Sequence, residues 1–306
     1  MKIHRIIPIV TLGSLLLAWQ PSAARAQNTI EQLTAAAQKG NPEAQYRLGQ
    51  AFVRGVGVKK DLRQAHDLIK QAADQGHADA IGGLGYFYAT GLVVKKDLSA
   101  AAEWFRQGAE KGGPRSQLNY GQALLNGRGV PENDPEGMKW IEKALAQELP
   151  EAHFAIGEFC YHGTHGYRQD YQKARESLEK AVEADHAAAE NMLGVIYQEG
   201  LGVSPDLVKA ELWFRKSAEQ GYPRGMSNLG QLLGPDGPDA TKHVEALKWL
   251  LLAHRANEPA ARNVLNEILR TRPPAVVKEA QEQVAKFQPR PSVEKSLKID
   301  VTRDGK

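Results

Sequence analysis

Apolar residues along this chain fall at helical spacing, and the spacing then recurs. Ala44, Leu48, Ala51 and Phe52 form one stripe, and Ala65, Leu68, Ile69, Ala72 and Ala73 form a second. Apolar positions three and four residues apart predict amphipathic helices, here two per unit. A small residue marks each unit at Ala44, Ala80, Ser116, Ala152, Ala189, Gly225 and Ala261, in steps of 36 or 37 residues. Glycine follows five positions later at Gly49, Gly85, Gly121, Gly157, Gly194 and Gly230, and a second glycine at Gly55, Gly91, Gly127, Gly163 and Gly200. A period of this length means a stacked array of helix pairs, not one globular core.

The punctuation agrees. Asp61, Asp97, Asn133, Asp170 and Asp206 share one register just before the second helix, where a short side-chain oxygen caps free N–H groups. Gly40, Gly76, Gly112 and Gly221, with Asp185 and Asn257, follow the second helix, where a left-handed residue ends it; Glu148 breaks that rule, and nothing in the sequence accounts for it. Ala44, Gly49 and Ala65 are read as the small residues that let the two helices of a hairpin close together. Trp104, Trp140, Trp213 and Trp249 share one register of the second helix and are expected to be core, with Leu68 and Ser177 in their place elsewhere.

Several spaced motifs now occur together: Leu48-Gly49, Gly55-Val56-Gly57-Val58, Asp61, Ala65, and Ala72-Ala73-Asp74-Gln75-Gly76. This set resembles the Sel1-like repeat, a relative of the tetratricopeptide repeat, over about residues 28 to 261. The resemblance implies an all-α fold, an α-solenoid of antiparallel helix pairs forming a right-handed superhelix. Residues 27–41 read as an N-terminal capping helix and 42–260 as six repeats. Residues 261–288 read as a C-terminal capping pair split by Pro273-Pro274, and 289–306 as a flexible tail. Three repeats depart from the pattern. Repeat three carries Gly137 where others have alanine, which weakens its second-helix start; repeat four has one extra residue near Gly163-Thr164-His165-Gly166-Tyr167; repeat six replaces its loop with Gly234 to Asp239, which leaves the pairing of its helices open.

The N-terminus adds a destination. Lys2 and Arg5, the apolar stretch Ile6 to Trp19 and Ala24-Arg25-Ala26 match a signal peptide cleaved after residue 26. The expected product is periplasmic or secreted, with no membrane span. Cleavage removes Lys2, Arg5 and Arg25, so the formal balance moves from 39 − 36 = +3 to 36 − 36 = 0. A neutral, mixed-sign chain lacks the electrostatic footprint of a nucleic-acid binder. Cys160 is the single cysteine, so packing and not a disulfide must hold the array.

Candidate chemistry is sparse. Cys160, His162, His165 and His153 have zinc-ligand types at plausible spacing, but Cys160 sits in the register of Phe52, Tyr88, Leu124 and Tyr197, an interior position. No metal, cofactor or catalytic group is expected, and the chain reads as a binding protein and not an enzyme. The cysteine-rich branch of the family, linked with penicillin binding, has a cysteine pair per repeat that this chain lacks. The resemblance implies an interaction scaffold or regulator in the cell envelope, like exported relatives that hold sensor kinases, support polysaccharide export or act at the cell wall. A peptidoglycan or glycan binder is the second reading and a repeat-based hydrolase the third.

Transferring the groove positions of the tetratricopeptide kin gives a candidate concave face for a partner protein or peptide segment. Repeat one supplies Glu43, Tyr46, Gln50, Val53 and Arg54; repeat two Tyr86 and Thr90; repeat three Arg115, Gln122 and Asn126. Repeat four supplies Glu151, Phe154, Glu158, Tyr161 and His162, and repeat five Asn191, Gln198 and Glu199. Tyr46, Tyr86, Phe154 and Tyr161 are expected to anchor the partner there.

Overall fold

The computed structural model describes residues 22–234 and 240–290, and every element in them is helical. Residues 1–21, most of the expected signal segment, residues 235–239 of the repeat-six loop and residues 291–306 lie outside the described residues. A leading helix, α1 (Ser22–Gln38), begins upstream of the expected cleavage point and packs Ile30, Leu33 and Ala36 against Ala44 and Leu48 of α2. Six hairpins follow in order: α2 (Pro42–Arg54) with α3 (Leu62–Asp74), α4 (Ala78–Thr90) with α5 (Leu98–Glu110), α6 (Pro114–Leu125) with α7 (Asp134–Leu145), α8 (Pro150–His162) with α9 (Tyr171–Val182), α10 (Ala187–Glu199) with α11 (Leu207–Glu219), and α12 (Pro223–Leu232) with α13 (Ala240–Arg255). The last two helices are α14 (Pro259–Thr271) and α15 (Pro274–Lys286).

Each hairpin closes on the first repeated glycine. A Cβ on Gly49 would lie 2.7 Å from Ile69, on Gly85 2.7 Å from Phe105, on Gly121 2.6 Å from Ile141, on Gly157 2.8 Å from Leu178 and on Gly230 2.7 Å from Leu250; on Gly194 it would meet the Phe214 ring. Those six partners share one register and are buried, so they, and not the tryptophans, form the central row. The tryptophans stand one residue earlier. Only Trp249 is buried, while Trp104, Trp140 and Trp213 are half-exposed on the outer side, with Lys143 Nζ 3.6 Å over Trp140 and Lys216 Nζ 4.3 Å over Trp213. The expectation of a uniform tryptophan core is corrected accordingly.

The other small register works between units as well. Ser116 Oγ donates to the Ala78 carbonyl of the previous first helix at 3.3 Å, and Gly225 lies under Ser217 of the previous second helix. Gly137 is no defect: a Cβ there would sit 2.8 Å from the Gly121 carbonyl, so the two glycines let α6 and α7 touch backbone to backbone. Repeat six pairs as the others do, Gly230 meeting Leu250 and the Ala246 carbonyl.

The caps form as read. Asp61 accepts from Arg63 N and Gln64 N, Asp97 from Ala100 N, Asn133 from Glu136 N, Asp170 from Lys173 N and Asp206 from Lys209 N. Glu148 is left-handed at φ 54°, like Asp185 at 56° and Asn257 at 61°, so it obeys the register with a side chain that favours it less than glycine. It carries a polar role in return, accepting at 2.8 Å from His153 Nε2. The extra residue of repeat four is taken up by His165 and Gly166, both at positive φ, with His165 against the Phe159 ring.

Candidate functional site

First helices of successive repeats touch one another, α4 with α6, α8 with α10, α10 with α12 and α12 with α14, whereas second helices of successive repeats do not approach to the same degree. The first helices therefore line the inner side of the curve. Their N-terminal ends carry a row at one register: Glu43, Asp79, Arg115 and Glu151. Arg115 Nη2 lies 3.1 Å from Glu151 Oε1, and Asp79 Oδ1 accepts from Arg115 N at 3.2 Å and Ser116 N at 3.4 Å. Burial raises the Asp79 pKa, with Arg115 opposing. Glu43 holds Arg47 and accepts at 2.8 Å from His77 Nε2, which lowers its pKa. Asp79 was missed by sequence reasoning although its register equals that of Glu43, Arg115 and Glu151.

Arg54, the last residue of α2, lies near this row. Its guanidinium makes no ion pair among the described residues, and its Nε is buried without a hydrogen bond. Burial, and then the neighbouring Arg115 charge, push its pKa down to about 10, with Glu151 and Tyr46 opposing. Gln50, one turn before Arg54, and Gln122, two repeats on at the same register, are half-buried, and Asn126 caps α6, its Nδ2 donating to the Gln122 carbonyl at 2.7 Å.

Two of the four expected anchors are buried in the stack. Tyr46 is 6% exposed and lies 4.9 Å from the His77 ring; Phe154 is 8% exposed and stacks at 4.4 Å on His186. Both are wedged against the capping residue of the next repeat. The expectation that they stand open to a partner is corrected: neighbouring first helices approach closely enough to cover that register. Val53 is buried too, and Asn191 is buried while accepting at 2.8 Å from Asn228 Nδ2. Tyr86 and Tyr161 stay half-exposed, Tyr161 edge-on to Tyr171 at 5.4 Å. Thr90 Oγ1 donates to the Tyr86 carbonyl of its own helix at 2.8 Å. Glu158 and Gln198 are half-buried and His162 and Glu199 exposed, farther along the same side.

The cysteine–histidine cluster does not converge. Cys160 packs with Leu118, Ile141 and Ile156, and burial raises its thiol pKa. His153 turns to Glu148 and His165 to Asp134, and no group of three metal-ligating side chains comes together among the described residues.

Six consecutive matches to the Sel1 repeat model cover residues 42–77, 78–113, 114–149, 150–186, 187–222 and 223–257. The chain belongs to the Sel1 repeat family. Members of this family generally mediate protein–protein interaction, on a scaffold that is generally non-catalytic. A Sel1 repeat protein from Oxalobacter formigenes superposes with a TM-score of 0.59 at 29% identity, covering 74% of this chain and 99% of that one. Protein c5321, a protective antigen of uropathogenic Escherichia coli with the same kind of fold, gives a TM-score of 0.57 at 29% identity over 84% of this chain and 56% of its own. The alginate biosynthesis protein AlgK of Azotobacter vinelandii is 30% identical over 110 residues, 36% of this chain. The chain spans 24% of AlgK and comparably small parts, 27% and 13%, of two other curated relatives.

Proposed function

We propose that this Sel1 repeat chain is an envelope scaffold that holds a segment of another protein along the inner side of repeats one to four. The observation that carries this reading is Arg54. A buried Arg54 Nε–H without an acceptor costs stability, and packing alone gives no reason to keep it. A partner offering a carboxylate or carbonyl oxygens would offset that cost. The Asp79–Arg115–Glu151 row beside it is rigidly hydrogen-bonded and would fix the register of the bound segment. The N-terminal basic, apolar and small-residue pattern supports an envelope location. A second reading, glycan binding, is favoured by the half-exposed Trp104, Trp140 and Trp213 on the outer side.

The test is partner capture from an envelope extract by the full chain and by a variant carrying Arg54→Gln, Gln50→Ala and Gln122→Ala. The expected result is an unchanged helical spectrum, a melting temperature equal to or above wild type, and loss of the captured protein. Capture of the same protein by the variant rejects the inner-side reading, and pelleting of both proteins with purified sacculi favours the glycan.

A further inference from the structure

One second helix turns apolar side chains to solvent. Where repeats one to four have Asp67, Glu103, Lys139 and Glu176, α11 has Leu212, and where they have Arg63, Ser99, Pro135 and Gln172 it has Val208. Val208 is 82% exposed and Leu212 50%, with Leu207 beside them at 58%. Single exposed apolar residues are ordinary, but three within two turns of one helix form a continuous strip. The neighbouring loops account for part of it. In the earlier repeats the next loop shields the start of the second helix: Leu62 shares a cluster with Val93 and Val94, and Gly129 and Gly202 lie against Leu98 and Tyr171. The loop after repeat five's hairpin, Gly234-Pro235-Asp236-Gly237-Pro238-Asp239, carries no valine, leucine or isoleucine.

The chain itself arrives at this strip. Val208, Leu212, Arg215 and Glu219 follow one another at four, three and four residues, so they make one stripe along α11. At the Glu219 end, after α15 has packed on α13, Pro289 rests over Gly221 and Arg290 N donates to the Glu219 carbonyl at 2.8 Å, while the Arg290 guanidinium pairs with the Glu219 carboxylate. Residues 291–306 continue from there. Val208 lies about 16 Å from Glu219 along the helix axis, and the stretch from Arg290 to Leu297 covers about 23 Å when extended, so the next residues reach the strip with slack.

Those next residues alternate as Leu297-Lys298-Ile299-Asp300-Val301. In an extended segment this places the three apolar side chains on one side at a spacing of about 7 Å, close to the rise of about 6 Å between helix residues four apart. Lys298 and Asp300 then face water. Three side chains offer far less than the roughly 800 Å² per partner that a stable interface between separate molecules buries. A segment tethered at Arg290 needs much less, because its local concentration is set by the short tether.

We infer that residues 297–301 dock in extended form on the outer stripe of α11, with Leu297, Ile299 and Val301 covering Leu207, Val208 and Leu212. The contact lies on the outer side and is independent of the inner-side binding reading.

The experiment uses the full chain with isotope-labelled leucine and valine methyl groups and a nitroxide on Asp300→Cys, wild type treated with the same reagent serving as the control for the buried Cys160. Paramagnetic loss of the Val208 and Leu212 methyl signals is expected, with Leu62, Leu92 and Leu269 unaffected. Val208→Arg with Leu212→Glu, which copies Arg63 and Glu103 of other repeats, should sharpen the nitroxide spectrum at unchanged melting temperature. Changing Leu297, Ile299 and Val301 together to serine should restore the methyl signals. Signals of Val208 and Leu212 that stay at full strength, or losses equal to those at Leu269, overturn the inference. Losses that persist when nitroxide and isotopes sit on different molecules of a mixed sample overturn it as well and assign the strip to a second copy.

Discussion

The six hairpins and the C-terminal helices start from the same sequence template and end in different packings. In every hairpin a glycine follows the conserved-length spacing from the small residue, and the second helix returns along the first with an apolar side chain seated on that glycine. In α14 the corresponding residue is Asn266, after Ala261 and Leu265. A Cβ at that register collides with the second helix in all six hairpins, and α15 does not return along α14. It packs on α13 instead, placing Phe287 5.3 Å from Trp249 and burying Ala280 and Val284. The expectation that α14 and α15 make a further pair is thus corrected: the Asn266 side chain and the two-residue link Arg272-Pro273, against seven or eight residues in the hairpin loops, both oppose a closed hairpin. A small residue at this position lets a helix pair close, and where it is absent the final helix covers the last second helix instead.

Substituting both sides of the comparison gives the largest expected effect. Gly121→Leu, at the closest backbone approach, is expected to lose about 3 kcal/mol or more in urea unfolding. Asn266→Leu, on the exposed side of α14, should stay within about 0.5 kcal/mol. Equal losses would break the contrast.

The second probe lies beneath the cap. Glu190 is buried and accepts at 2.6 Å from Gln220 Nε2, with Lys216, Asp185 and Arg290 also facing it; burial raises its pKa from 4.5 to about 7. A raised folded-state pKa contributes stability that is full below 4.5 and is lost as pH rises through about 7. The wild type should therefore lose about 2 kcal/mol between about pH 5 and about pH 8 from this group. Glu190→Gln, which copies the Gln117–Gln147 pair of repeat three at 2.8 Å, should flatten that slope. A slope that survives the change places its origin elsewhere.

The smallest effect tests the lid. Phe287→Ala should cost about 1 kcal/mol and shift tryptophan emission to the red as Trp249 meets water, because a half-buried ring removes only part of its area from solvent. An unchanged emission would mean that α15 does not cover Trp249 in solution.

Much of the array was legible because periodicity repeats one physical requirement many times: the hairpins, the aspartate caps and the left-handed register follow from it, and Glu148, read as an exception, obeys it. What failed depends on curvature, which a single unit does not encode. Tyr46 and Phe154 lie on the outward-looking side of an isolated hairpin and are covered only when the next first helix leans over them. The tryptophans misled for a related reason, since the buried row lies one residue later, at Ile69, Phe105, Ile141, Leu178, Phe214 and Leu250. Asn266 and Asp79 were readable by register and needed only the question of what a Cβ or a charge does there.

After α15 the chain doubles back. Arg290 N donates to the Glu219 carbonyl at 2.8 Å, its guanidinium pairs with the Glu219 carboxylate, and Pro289 rests over Gly221. Most other contacts in the array reach only the adjoining unit, so an opening can start at a junction and stop at the next. This clasp joins positions 71 residues apart and skips a whole repeat. Repeats five and six with α14 and α15 are tied into a block that must open together, so fraying from the C-terminus is replaced by one larger and rarer event.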